Sequence, residues 1–332
     1  MPELPEVETV ANGVDARVRG QRIEEVWTSG KAQTFKSAES EIGEVLTGAR
    51  IERVRRVGKT IVMTLGRRQG VEDAGGRDDG GKERAERMGR EADSSAALRN
   101  DDQKGKAQGE NQGESGSVVA PTRVSAEFLV HLGMTGRLLV SAAEAPAPPH
   151  THAVLRLGDG REVRFVDPRR FGRLSVRVIE AVEDGYAGPG MEPLTISEEA
   201  FRGLFRDKKG GRRTVAIKAA LLNQSLLHGV GNIYADEALA RAGVRPRRQA
   251  GRLTRAEYGR LHAALKEVLT RAIELGGSSV SDYVDADGVR GFFQLEHRVY
   301  GRGGEPCRVC GTEIRKIVVG GRGTHFCPRC QR

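Results

Sequence analysis

The last 26 residues contain two cysteine pairs, Cys307-Arg-Val-Cys310 and Cys327-Pro-Arg-Cys330, which hold all four cysteines of the chain. Two C-x2-C pairs separated by sixteen residues are typical of a four-cysteine zinc site on a two-knuckle β-ribbon. Two disulfides are the alternative, which the knuckle spacing disfavours. Four thiolates fill a tetrahedral shell, so we expect one structural Zn²⁺ ion that braces residues 319–325. There the glycine-flanked Arg322 suits phosphate contact, although an ordinary hairpin turn would look the same.

The charge distribution around this segment is uneven. Residues 201–332 carry 25 Lys and Arg against 12 Asp and Glu, whereas the whole chain of 332 residues has a formal net charge of +9. A basic C-terminal part favours a polyanionic partner, most commonly nucleic acid, and an arginine-rich solvated surface is the alternative. No apolar run approaches the roughly 20 residues that a spanning helix needs, and the acidic N-terminus is unlike a secretory signal. We therefore expect a cytoplasmic protein with no membrane partner.

Hydrophobic periodicity divides the chain into a β-rich part and a helical part. One helix is expected at 5–18, and alternating apolar residues predict an antiparallel β-sandwich with strands at 56–65, 125–132, 137–141, 153–157, 162–166 and 173–178. After the stretch Gly188-Pro-Gly-Met-Glu-Pro193, helical spacing predicts helices at 197–205, 214–223, 232–242 and 254–275.

Residues 69–121 have a composition unlike that of either part. They are rich in Gly, Asp, Glu, Lys, Gln and Ser and poor in large apolar residues. Such a segment cannot bury enough surface to offset the chain entropy lost on folding. We therefore predict a disordered insertion between two neighbouring strands.

The first ten residues, MPELPEVETV, place a proline after the initiator methionine and carboxylates beside it. Removal of Met1, expected before a small residue, would leave Pro2 with a secondary amine at the N-terminus. Such an amine can attack a sugar C1′ or an aldehyde to form an iminium, and Glu3, Glu6 and Glu8 would place carboxylates nearby for proton transfer. The alternative is an ordinary acidic first turn of a helix.

Six motifs occur in a single order along the chain. They are MPELPEVETV, Gly58-Lys59, His131-Leu-Gly-Met-Thr-Gly136, Asp167-Pro-Arg-Arg-Phe-Gly172, Gly229-Val-Gly-Asn-Ile-Tyr-Ala-Asp-Glu237 and the terminal GRGTHFCPRCQ. Together they resemble the formamidopyrimidine-DNA glycosylase family, which excises 8-oxoguanine and related oxidised purines. The sister endonuclease VIII family usually begins PEGPE, so Leu4 favours the formamidopyrimidine branch.

The resemblance implies a bifunctional glycosylase and abasic-site lyase of base excision repair. Pro2 would be the nucleophile that forms a Schiff base, Glu3 the proton-transferring acid, and Lys59 and Arg322 catalytic or phosphate-gripping groups. β- and δ-elimination would then remove the sugar and nick the strand. Residues implied to fill the void left by the everted base are Met134, Arg169 and Phe171. Residues implied to bind DNA are His150, Arg170, Lys218 and Asn232. The loop at 276–294 would close over the everted base.

The implied fold is α+β, with an N-terminal antiparallel β-sandwich and flanking helix, a helix–two-turns–helix domain and a four-cysteine zinc-ribbon hairpin. We expect domains at 1–183, 196–296 and 297–332, with a hinge at 184–195. The implied partner is double-stranded DNA containing oxidised purines, bound by a monomer. Two alternatives remain open: an oxidised-pyrimidine glycosylase of the endonuclease VIII type, and a non-catalytic zinc-ribbon protein that binds damaged DNA.

Overall fold

The computed structural model describes residues 1–68, 123–179, 185–206, 210–280 and 283–332. The predicted disordered insertion at 69–121 lies outside these residues. None of the helices in the described ranges is both long and apolar enough to cross a membrane.

The N-terminal part consists of two four-stranded sheets that share one hydrophobic core. Its strands are β1 (Ile23–Thr28), β2 (Arg50–Val57), β3 (Thr60–Arg68), β4 (Arg123–His131), β5 (Arg137–Ala142), β6 (Thr151–Leu157), β7 (Arg161–Val166) and β8 (Arg173–Ile179). One sheet has the order β1-β6-β7-β5 and the other β2-β3-β4-β8. The strands that precede and follow the insertion, β3 and β4, are neighbours, and the antiparallel sandwich is confirmed.

Two helices flank the sheets, α1 (Leu4–Val18) and α2 (Glu39–Leu46). The expected helix at 5–18 is confirmed, whereas α2, β1 and most of β2 were not predicted. The expectation of a single strand over 56–65 is wrong, because a turn at Gly58-Lys59 separates β2 from β3. Gly58 has a φ of +61°, a left-handed conformation that glycine adopts without strain and that suits the first position of a two-residue hairpin. The apolar alternation runs through the turn and hides it from a periodicity analysis.

The C-terminal part is helical and ends in a hairpin. Its elements are α3 (Glu198–Gly203), α4 (Ile217–Leu221), α5 (Asn232–Ala242), α6 (Arg255–Glu274), β9 (Arg315–Val319) and β10 (Arg322–Phe326). Each predicted helix occurs, and α4 is shorter than expected. The longest helix, α6, begins at a capping box in which Thr254 Oγ1 accepts the Glu257 N–H and Glu257 accepts the Thr254 N–H.

Each of the two parts contributes residues to the hydrophobic core of the other. Leu4 belongs to the helical core, and its N–H donates to the Gly229 carbonyl at 3.0 Å. Conversely, Tyr283 and Ala286 lie in the core of the sandwich. The first turn of α1 is therefore held where the two parts meet.

An ion-pair cluster joins the same two parts at the predicted hinge. The Arg56 guanidinium, at the end of β2, donates to both Glu192 carboxylate oxygens at 2.9 and 3.0 Å. His228 Nε2 lies 3.2 Å from Glu192 Oε2. Glu192 thus connects the sandwich with the turn that precedes α5.

Candidate active site

A cavity of about 760 Å³ lies between the sandwich and the helical part. Its wall includes six of the eleven residues to which the resemblance assigned a catalytic, DNA-binding or void-filling role: Pro2, Glu3, Lys59, Met134, Asn232 and Arg322. These residues are up to 320 positions apart in the chain and belong to different elements. The structure therefore brings the four predicted catalytic residues into one cavity.

Glu3 is buried at the start of α1, with 4% of its surface exposed. Its Oε1 accepts the Ile233 N–H at 3.3 Å, and its own N–H donates to Glu6 Oε2 at 2.8 Å. Gly231 makes room for this carboxyl, because a Cβ there would lie 2.0 Å from Glu3 Cδ. Burial raises the pKa of Glu3 to about 7, although nearby Lys59 works in the opposite direction. A pKa near neutrality suits a group that both donates and accepts a proton.

Glu6 is a second buried carboxyl on this wall. It accepts hydrogen bonds from the Tyr234 hydroxyl, from the Ser278 N–H at 2.7 Å and from the Glu3 N–H. Burial raises the pKa of Glu6 as well. Of the three glutamates considered from sequence, Glu8 is instead ion-paired with Arg56 and does not line the cavity. The spacing of the glutamates along α1 did not show which of them would be buried in the cavity and which would form an ion pair.

Two cations, Lys59 and Arg322, line the same cavity as the carboxyls. Lys59 lies in the β2–β3 turn, where burial lowers the pKa of its ammonium while Glu3 opposes the shift. Arg322 is exposed at the first position of β10, directly after the left-handed turn at Gly320-Gly321. A Cβ on Gly320 would lie 3.2 Å from Ala219 Cβ, so the turn packs closely on α4. The cavity therefore offers positive charge where a nucleic acid phosphate could bind.

Lys218 occupies a different environment from the one expected of a phosphate contact. Its side chain is fully buried, with Nζ 2.7 Å from Asp236 Oδ1, and it donates to Thr324 Oγ1 at 2.7 Å and to the Gly323 carbonyl at 3.0 Å. Asn232 Nδ2 also donates to the Gly323 carbonyl, at 3.0 Å. In this conformation the Lys218 ammonium has no free surface for DNA, and it fastens the hairpin that carries Arg322.

The predicted void-filling residues lie on two loops with exposed tips. Met134 is 41% exposed and lines the cavity, whereas Arg169 and Phe171 lie outside its wall. Phe171 is 47% exposed, with the Arg169 guanidinium carbon 4.9 Å from its ring centroid. The stacked pair presents a flat, partly apolar surface to solvent, a type of wedge that can enter a base stack.

The remaining predicted DNA contacts, His150 and Arg170, are also outside the cavity wall. Both are exposed, and they are the two non-glycine residues with left-handed backbone among the described residues, with φ of 68° and 56°. His152 differs from its neighbour because it is buried in β6, with Nδ1 3.0 Å from Ser29 Oγ. His150 and His152 are therefore in different environments, although they are two positions apart.

The four cysteines converge at the far end of the hairpin. The Sγ atoms of Cys307, Cys310, Cys327 and Cys330 all lie within 4.8 Å of one another, and all four thiols are free, so the disulfide alternative is wrong. Cross-pair Sγ–Sγ distances of 3.5 and 4.0 Å bracket the spacing of about 3.8 Å across a tetrahedral zinc with Zn–S bonds of about 2.3 Å. The four residues fit one structural Zn²⁺ ion with no position left for a substrate.

Two acidic residues in the middle of α5 escaped the sequence analysis. Asp236 accepts the His325 N–H at 2.9 Å in addition to pairing with Lys218. Glu237 accepts the N–H groups of residues 298–300 at 2.9 to 3.0 Å and pairs with Arg241. Both are fully buried and tie the C-terminal segment to α5. The backbone N–H groups that they accept lie 61 to 89 positions away, so no local pattern could reveal those contacts.

Family profiles match most of the chain. The profile described as the formamidopyrimidine-DNA glycosylase N-terminal domain matches residues 1–76 and 104–174, and it breaks off within the predicted insertion. The formamidopyrimidine-DNA glycosylase H2TH domain (helix–two-turns–helix) matches residues 190–284, and a zinc finger found in FPG and IleRS matches residues 304–332.

Similar whole proteins agree with these profiles. The formamidopyrimidine-DNA glycosylase of Symbiobacterium thermophilum is 38% identical over 333 positions, covering 100% of this chain and 89% of that protein. The Fpg protein of Lactococcus lactis, in complex with DNA that contains an abasic site, has a TM-score of 0.73 at 29% identity over 99% of both chains. Its complexes with DNA containing N7-benzyl-Fapy-dG or an oxidised pyrimidine have TM-scores of 0.73 and 0.72 at 29% and 28% identity over 100% of both chains. The chain therefore belongs to the formamidopyrimidine-DNA glycosylase family.

Proposed function

We propose that the chain is a bifunctional DNA glycosylase and abasic-site lyase that excises oxidised purines such as 8-oxoguanine and formamidopyrimidines. The observation that carries this proposal is the position of Pro2, which becomes the N-terminus once Met1 is removed, next to Glu3 in a cavity that Lys59 and Arg322 also line. Glu3 is a buried carboxyl with a pKa of about 7. Family membership and the lesion-containing DNA bound by the L. lactis protein support it.

The first step is access to the base. A base inside a duplex cannot reach the cavity, so the nucleotide must rotate out at a cost of about a few kcal/mol. Met134 and the stacked pair of Arg169 and Phe171 would occupy the vacated space. The basic groups at the cavity wall would hold the flanking phosphates.

The second step is a displacement at the sugar. The Pro2 nitrogen lone pair forms a bond to C1′ while the glycosidic C1′–N bond breaks, and the bond's electrons leave with the base. The proton that the Pro2 amine then loses neutralises the departing base, which frees the nitrogen lone pair to form the iminium. Opening the sugar ring to the iminium requires a proton on the ring oxygen, and Glu3 is the acid in place to supply it. With a pKa of about 7, Glu3 is protonated in a large fraction of molecules at neutral pH.

The third step is strand cleavage. The Glu3 carboxylate, ionised once it has protonated the ring oxygen, would take a proton from C2′ of the iminium. The C–H electrons then drive β-elimination, in which the 3′ C–O bond breaks and the 3′ phosphate departs with its electrons. δ-Elimination then expels the 5′ phosphate in the same way. Both leaving groups are anions, and the charges of Lys59 and Arg322 would stabilise them.

One alternative substrate class has an observation in its favour. The L. lactis protein was solved with oxidised-pyrimidine DNA, so a similar cavity can be associated with that lesion class. A non-catalytic DNA-binding role is disfavoured, because a binding module would need neither the N-terminal amine nor a buried acid beside it.

The test uses purified zinc-loaded protein, a labelled duplex with 8-oxoguanine opposite cytosine, and sodium borohydride to reduce the iminium. We expect a covalent protein–DNA band whose cross-link maps to the N-terminal peptide. The Pro2→Gly variant, which keeps a terminal amine but loses the secondary amine and its ring, should bind the duplex yet nick it far more slowly. Tight binding without a covalent band on 8-oxoguanine or on oxidised pyrimidines would establish a damage-binding protein instead, and undiminished nicking by Pro2→Gly would exclude Pro2 as the nucleophile.

A further inference from the structure

Asp167 is a buried carboxylate outside the cavity wall. It directly follows β7, none of its surface is exposed, and its side chain forms no ion pair with any described residue. Burying a carboxylate is unfavourable unless hydrogen bonds compensate for the lost water. The donors that surround Asp167 therefore indicate what it stabilises.

The two carboxylate oxygens bind two different loops. Oδ1 accepts the Thr135 hydroxyl at 2.6 Å, and Thr135 is adjacent to Met134. Oδ2 accepts the Gly172 N–H at 2.7 Å, and Gly172 is adjacent to Phe171. Short hydrogen bonds to a charged acceptor are stronger than those between neutral groups. One side chain thus joins the loop that carries Met134 to the loop that carries Phe171.

Close backbone packing reinforces this link. A Cβ on Gly133 would lie 2.5 Å from the Gly172 nitrogen, and a Cβ on Gly172 would lie 2.4 Å from Phe165 Cζ. The two loops therefore touch through glycines with no space for side chains. The loop that carries Met134 therefore packs directly on the backbone of the loop that carries Phe171.

The backbone of Asp167 binds the two strained residues of this region. Its N–H donates to the His150 carbonyl at 3.0 Å, and its carbonyl accepts the Arg170 N–H at 3.3 Å. A left-handed conformation at a non-glycine residue is strained and persists only where surrounding contacts enforce it. The loops that carry His150 and Arg170 are consequently held by the same residue.

We infer that Asp167 is a positioning residue that holds Met134, Arg169 and Phe171 as one preformed wedge. The inference rests on the proposed function and deepens it. Asp167 does not touch the reacting atoms; it acts through Thr135 and Gly172. Its loss should therefore slow the rotation of an intact damaged base out of the stack, and it should affect much less the reaction at a site that has no base to rotate.

The decisive variants are Thr135→Val, which removes the hydroxyl donor, and Thr135→Ser, which retains it. We expect Thr135→Val to slow single-turnover excision of 8-oxoguanine about tenfold or more and Thr135→Ser to stay within about threefold of wild type. Borohydride trapping at a preformed abasic site should change less than about threefold in both variants. The rise of 2-aminopurine fluorescence next to the lesion, which reports unstacking, should slow in parallel with excision.

Asp167→Asn, combined with Thr135→Val, identifies the contact itself. If both changes act through one hydrogen bond, the double variant should be no slower than the slower single variant. Equal slowing on both substrates, or excision by Thr135→Val at the wild-type rate, would overturn the inference. Failure of the wild-type protein to react with either the 8-oxoguanine duplex or the abasic-site duplex would refute the proposed function instead. In that case the 2-aminopurine fluorescence would still decide whether wedge insertion depends on Thr135.

Discussion

Replacing Glu3 by glutamine should stabilise the protein, and the gain should depend on pH. The carboxyl is 4% exposed, and burial raises its pKa from the ordinary value of 4.5 to about 7. The folded state therefore holds this proton more tightly than the unfolded state. The corresponding stability is fully present below pH 4.5 and is lost as the pH rises through about 7.

The magnitude follows from the two pKa values. Each pKa unit corresponds to about 1.4 kcal/mol, so ionising the buried carboxyl costs about 3 kcal/mol at pH 8 and about 1 kcal/mol at pH 5. An amide has no such cost. With an unfolding entropy of about 0.7 kcal/mol per degree for a chain of this length, Glu3→Gln should raise the Tm by about 4–5 °C at pH 8 and by about 1 °C at pH 5.

The assay is thermal unfolding of zinc-loaded wild type and variant at both pH values. Comparing the two proteins at the same pH removes the contributions of all other titrating groups. Glu25→Gln is the matched control, because the Glu25 side chain is 62% exposed and its one ion pair, with Arg156, lies at the surface, where such a pair contributes about 1 kcal/mol or less. A Tm difference between Glu3→Gln and wild type that is the same at pH 5 and pH 8 would refute the reasoning.

Three further outcomes are expected. Chelating the zinc should abolish binding to a lesion duplex, because the hairpin loses its brace, and added Zn²⁺ should restore it; retained affinity in metal-free protein would contradict this role. Lys218→Met should lower the free energy of unfolding, measured with denaturant, by about 3–5 kcal/mol, because it leaves the Asp236 carboxylate buried and unpaired. Adding Asp236→Leu should recover most of this loss. A loss below about 1 kcal/mol would argue against the buried pair. Gly231→Ala should displace the Glu3 carboxyl and strongly reduce borohydride trapping, whereas trapping at the wild-type level would show that the site tolerates a Cβ there.

The sequence predicted the features that depend on residues close together in the chain, or on a set of motifs that occurs in a fixed order. Cysteine spacing along a few residues indicated the zinc site, because the knuckle geometry is set by neighbours in the chain. Alternating and helical periodicity located most strands and helices. Besides α2, β1 and most of β2, the turn at Gly58-Lys59 was missed, because both strands of that hairpin share one apolar alternation.

Local sequence patterns did not predict the environments of individual side chains. Lys218 has the sequence context of a phosphate contact, yet Asp236, eighteen positions later, neutralises it inside the core. Glu3 and Glu6 have the same local composition as Glu8, but only the first two are buried by the turn before α5 and the loop after α6.

The sequence by itself therefore determined the family, the division into a β-rich and a helical part, and the identity of the metal ligands. Only the tertiary structure decided that Glu3 has a pKa near 7 and that Asp167 joins the two loops of the wedge. The physical reason is that burial and hydrogen bonding depend on atoms contributed by distant segments. Gly231, for example, lies 228 positions from Glu3 in the chain, and its missing side chain leaves the space in which the Glu3 carboxyl is buried away from water.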